Sequence, residues 1–109
     1  MTNTDTGHIA RTIRSQFGPW ALAAAGAADL AATRDGLYMS VRRHNGRRYN
    51  IIVTLTPADL YTVRIAARSL RSREATLDIE GIYADQLAPL LDAIVTGADL
   101  ARWGAKVAA

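Results

Sequence analysis

Between Arg47 and Ala67 the apolar and polar residues alternate in two runs separated by a turn. Tyr49, Ile51, Val53 and Leu55 take one face against Asn50, Ile52 and Thr54; after Thr56-Pro57-Ala58-Asp59, Tyr61, Val63, Ile65 and Ala67 resume the pattern. Period-two alternation in β-branched and aromatic residues predicts strands with one buried face. Pro57 has the fixed φ of a second turn position, and Asp59 can bond the turn backbone. A short first strand is expected over 29–32, alternation predicts another from Leu37 through Met39 and Val41, and a fifth is expected over 75–80 with Leu77 and Ile79 inward. Asp35-Gly36 and Asn45-Gly46 supply two-residue hairpin signals between them, and Gly81 is expected to end the sheet.

Helical spacing governs the two flanks. Ile9, Ile13 and Phe17 recur at four-residue intervals behind a cap at Asp5 or Thr6. Gly18-Pro19 interrupts that helix and starts a second over 20–27, whose Ala23, Ala24, Ala25 and Gly26 suit close packing on a sheet. Leu87, Leu90, Leu91, Ile94 and Val95 share the apolar face of a third helix, with Asp85 as N-cap, Pro89 in its first turn and Gly97 as its stop. The predicted architecture is α+β: an antiparallel meander of about four to five strands with helices packed on one face. The compact domain spans 1–97, and 98–109 forms a C-terminal helical tail bearing Leu100, Trp103 and Val107. Ile51, Val53, Val63, Ile65, Leu77, Ile79, Leu87, Leu91 and Ile94 are the expected core.

Composition adds little to the fold and more to the chemistry. A chain of 109 residues, half of them hydrophobic, fits a single domain with one modest core. Cysteine is absent, which removes disulfides and thiolate metal sites. The apolar run over 20–28 is too short to span a bilayer and no signal-peptide pattern precedes it, so a cytoplasmic location is expected. Net charge is +3, with thirteen basic residues of which Lys106 is the single lysine. Arginine suits phosphates and carboxylates. The same bias fits a genome rich in guanine and cytosine, to which the alanine content also points.

Several of these residues form a wider pattern. They are Ile13 with Gln16-Phe17-Gly18, Gly26-Ala27, Leu37 with Val41, Val53-Thr54-Leu55 and Asp59-Leu60-Tyr61-Thr62-Val63. Glu80-Gly81-Ile82-Tyr83-Ala84-Asp85-Gln86-Leu87 and Thr96-Gly97 complete it. From Ile9 to Gly97 the chain resembles a group of short proteins of unknown activity encoded by phages, prophages and plasmids. Pro19 and Trp20 depart from that group's pattern, and the residues from Ala98 onward lie outside it. The resemblance implies a mobile-element origin and supplies no catalytic residues.

No reactive constellation emerges from the remaining side chains. His8 and His44 have no metal-ligand spacing, and Ser15, Ser40, Ser69 and Ser72 lie outside any nucleophile elbow. Glu80 and Asp85 read as a strand end and a helix cap rather than an acid/base pair. No enzymatic activity, cofactor or metal is therefore expected. The arginines are more informative. An up-down meander brings Arg42, Arg43, Arg47 and Arg48 to the same end as Arg68, Arg71 and Arg73, with Asp35 and Asp59 at the other. Such a pole attracts acidic protein surfaces or phosphate backbones, or simply keeps a hairpin tip solvated and unpaired. Trp103 either covers the core or anchors a partner or a second copy of the chain. The expected function is a non-enzymatic accessory protein that binds and blocks a host protein or nucleoprotein complex, such as an anti-CRISPR-type defence inhibitor. A nucleic-acid-binding factor working through the arginine pole is the alternative, and a self-associating structural component a third.

Overall fold

A computed structural model describes residues 6–69 and 71–108. The predicted alternation is realised as a meander in which each strand pairs antiparallel with its predecessor. In chain order these are β1 (Ala28–Thr33), β2 (Gly36–Arg42), β3 (Arg48–Leu55), β4 (Tyr61–Ala67), β5 (Leu77–Ile82) and β6 (Lys106–Val107). Six strands thus stand where four to five were expected, because the C-terminal residues add one. The central registers, Met39↔Ile51, Ile51↔Ile65 and Val53↔Val63, set same-face apolar residues opposite one another. Such cross-strand pairs are the unit of sheet stabilisation. Gly36 is buried within the first hairpin, where a β-carbon would collide with the Val53 carbonyl.

Among the described residues, the three α-helices lie on one face. They are α1 (Thr6–Phe17), α2 (Pro19–Ala24) and α3 (Leu87–Thr96). Ile13 and Phe17 from α1 and Leu87, Leu90, Leu91 and Ile94 from α3 are buried against Met39, Ile51, Val53, Val63 and Ile79 of the sheet. The expected core is therefore present, with Leu77 only partly buried at its margin. Leu22 of α2 and Ala25 at its C-cap carry the packing, while Ala23, Ala24 and Gly26 stay exposed, so close approach does not use the whole small-residue run.

Three local expectations are corrected. Gly81 does not end the sheet. Its φ of 70° falls beside an irregularity in the β4–β5 ladder, which returns Ile82 to the core opposite Tyr61. A bulged residue in the left-handed region shifts the strand's phase by one, and glycine adopts that conformation at least cost. Asp85 is not the cap of α3; it lies in a 3-10 turn over Ala84–Gln86, closed by Gln86 Oε1 accepting from the Tyr83 N–H at 2.8 Å. The segment after Gly97 is not a continuous helix. It makes one 3-10 turn, Leu100–Trp103, opened by Asp99 accepting from the Ala101 N–H at 3.0 Å, and then supplies β6. Trp103 is half-buried against the core. Of the two proposed caps of α1, Thr6 is its first residue and Asp5 lies outside the described residues.

Candidate functional site

The β2–β3 hairpin tip carries the pattern Arg42-Arg43-His44-Asn45-Gly46-Arg47-Arg48. Its geometry depends on Asn45, whose Oδ1 accepts from the Arg47 N–H at 2.9 Å, and on Gly46 at φ 80°. The tip is fastened to the helical layer. The His44 N–H donates to the Val95 carbonyl at 2.8 Å, and Arg43 Nε donates to the Ile94 carbonyl at 2.8 Å. Both acceptors belong to the last turn of α3, where carbonyls lack helical partners and the dipole favours a cation. The Arg43 guanidinium also sits 4.8 Å above the Tyr49 ring.

Arg48 and Arg68 are committed on the opposite face of the sheet. Arg48 Nε donates to Ser40 Oγ at 2.8 Å, and its terminal nitrogen reaches the carbonyls of Ser40 and Gly26, each at 2.9 Å. Arg68 Nη1 donates to Ser40 Oγ at 3.2 Å and pairs with Asp29 at 3.3 Å. Ser40 is thereby fully buried on a face that no helix covers. Its hydroxyl and carbonyl would be costly to bury without those donors.

The remaining arginines divide differently. Arg47 is exposed and approaches Glu74 at 3.8 Å. Arg42, Arg71 and Arg73 are exposed, and among the described residues their side chains make no hydrogen bond or ion pair. The pole is therefore real as a location but mixed in purpose: Arg43, Arg48 and Arg68 hold the fold, while Arg42, Arg47, Arg71 and Arg73 present charge to solvent. Two grooves flank the tip. One, of about 630 Å³, is lined by Arg47, Arg48, Arg68 and Arg71 together with Ser69, Ser72, Tyr49 and Glu74. The other, of about 540 Å³, lies where the C-terminal ends of α2 and α3 meet Arg42, Arg43, His44 and Arg48. Arg73 lines neither.

Glu74 was not among the candidates, yet it is the one acid lining the larger groove. Tyr49, itself buried, brings its hydroxyl to 2.7 and 2.6 Å from the two Glu74 carboxylate oxygens, and Ser72 Oγ lies 3.2 Å from Oε2. The Tyr49 hydrogen bond, with help from Ser72 and the nearby Arg47 and Arg43 charges, holds this carboxyl below its ordinary range. The signal that could have found it is its place as the lone acid closing the run from Arg68 to Arg73.

Other chemistry is sparse. No group of three or more histidine, aspartate or glutamate side chains that could hold a metal occurs among the described residues. No helix among them is long and apolar enough to cross a membrane. Among the described residues the most exposed large apolar side chain is Trp20, 87% accessible on α2, rather than Trp103. Comparison with protein-family models, curated proteins and solved structures finds no match to this chain.

Proposed function

We propose that this chain is a non-catalytic accessory protein of a phage or other mobile element that blocks a host complex by docking its arginine end on an acidic surface. A defence inhibitor of the anti-CRISPR type is one form of that activity; the resemblance itself implies a mobile-element origin. The observation that carries the reading is the set of uncommitted cations, Arg42, Arg71 and Arg73 with Arg47 beside them, at an end where three other arginines are already bound internally. Charges that hold no internal structure raise association rates with an oppositely charged surface and fix its orientation.

The experiment is a plasmid-interference or phage-defence assay with the unaltered protein beside an Arg47→Glu/Arg71→Glu variant, with folding checked by circular dichroism. Inhibition by the first and its loss in the second supports the reading. Full inhibition by the variant moves the docking surface elsewhere, with Trp20 next to be tested. No inhibition by the unaltered protein across several defence types removes the reading. Arg48 is a poor choice for that variant, since its loss strips three hydrogen bonds from Ser40 and Gly26.

A phosphate backbone would also suit free arginines. One feature favours protein instead: the groove's aromatic ring, Tyr49, is buried under Arg43 rather than open to stack on a base. A mobility shift with duplex or single-stranded nucleic acid at low salt, retained by the unaltered protein and lost in the variant, would favour the nucleic-acid reading.

A further inference from the structure

The larger groove is not an empty basic surface. Its wall carries a carboxylate already seated beside Arg47, with both oxygens against Tyr49 Oη and Oε2 also 3.2 Å from Ser72 Oγ and 3.8 Å from Arg47 Nη1. The Arg47 contact is long, and both partners are substantially exposed, at 69% and 41% of their side-chain surfaces. Pairs of this kind contribute little to stability, because solvent screens them and two side chains must be held in place. The hydrogen bond from Tyr49 fixes the carboxylate, and the charge of Glu74 then partly neutralises the groove from within. Arg71 lines the same groove without an acid of its own among the described residues.

We infer that Glu74 is a built-in surrogate for the ligand, and that the groove takes a carboxylate from an aspartate or glutamate of an acidic partner segment, seated between Arg47 and Arg71. The inference rests on the docking function proposed above and narrows it to one groove and one recognised group. A partner carboxylate entering there meets repulsion from Glu74 as well as attraction from the two guanidiniums. The resident charge therefore sets a threshold: weakly acidic surfaces are refused, and a segment with several adjacent carboxylates is accepted. Selectivity obtained by a resident repulsive charge is a recognised way of discriminating partners.

The test measures binding of a fluorescein-labelled oligo-glutamate peptide by anisotropy at low salt. It compares the unaltered protein with Glu74→Gln, Arg47→Ala and the double variant. Glutamine keeps an acceptor for the buried Tyr49 hydroxyl and removes only the charge, so the fold is retained, as urea denaturation would verify. Glu74→Gln is expected to bind about two- to fivefold more tightly, the range that one exposed charge pair can supply. That gain should shrink in the Arg47→Ala background. Equal binding by the unaltered protein and Glu74→Gln would overturn the surrogate while leaving acidic docking intact. An undiminished gain in the Arg47→Ala background would also overturn it, since the effect would then be net charge alone. No binding by either protein would overturn acidic docking itself, and this inference with it. A gain with duplex DNA and none with oligo-glutamate would replace the carboxylate by a phosphate.

Discussion

Gly97 shows how much one residue can carry here. It occupies the left-handed region at φ 79° as the C-terminal stop of α3, and a β-carbon there would run into the His44 ring. Gly97→Ala is expected to cost about 1–3 kcal/mol, from the strained backbone and the displaced imidazole together, measured by urea unfolding. Trp20 should behave in the opposite way. At 87% accessibility its replacement by alanine should leave stability within about 0.5 kcal/mol, so any loss of inhibition would report on docking alone. Among the described residues, two carboxylates contribute to the acid response. Asp78 is held below its ordinary range, chiefly by the hydrogen bond from Arg64 Nε at 2.8 Å, and Glu74 chiefly by Tyr49. In both the folded state binds its proton less readily than the unfolded chain. Their contribution is thus complete at neutral pH and is lost as pH falls through the depressed folded values. Unfolding midpoints followed from neutral to acid pH should decline less steeply for Asp78→Asn than for the unaltered protein.

Among elements, α3 and the β2–β3 hairpin form the decisive pair. Leu91 is 1% accessible between that helix and the sheet, and Leu91→Ala should destabilise by about 2–5 kcal/mol in urea unfolding. Arg43→Ala should cost about 1–3 kcal/mol, through the lost charge-assisted bond to the Ile94 carbonyl, so the hairpin tip is not a passive loop. β3 and β4 were legible because their alternation is regular, and the turns along the meander carry Asp-Gly, Asn-Gly and Pro-Ala-Asp signals. β6 was not legible, because two residues are too few for any period and its pairing partner is β5, on the far side of α3. Gly81 misled for a related reason: a bulge and a terminus both call for glycine, and only the partner strand tells them apart. The arginine end was legible as a place, since strand direction alone puts its members together. Which arginines are free was hidden, because the acceptors of Arg43 and Arg68 lie as far as 51 and 39 residues away in sequence.

Over the whole molecule, the sheet presents one face to three helices and leaves the other to its own side chains. Tyr38, Ile52, Arg64 and Asp78 form a row across that second face, tied by Arg64 to Asp78 and completed at the edge by Lys106. That edge has a consequence for handling the protein. β6 is two residues long, joined by Leu77↔Val107 and Asp78↔Lys106, with the Ala108 N–H on the Thr76 carbonyl. So short a strand should detach long before the domain melts, and its amides should exchange with deuterium far faster than those between β3 and β4. Each detachment bares a row of unpaired donors and acceptors along β5, a template for another molecule's strand. Lys106, bonded to Glu80 on β5 at 3.2 Å, helps to hold β6 over that edge. A chain ended before Lys106 is accordingly expected to keep its far-ultraviolet spectrum yet to sediment as larger species as its concentration rises. A fusion placed on the C-terminal side should be judged first by whether it leaves that small strand in place.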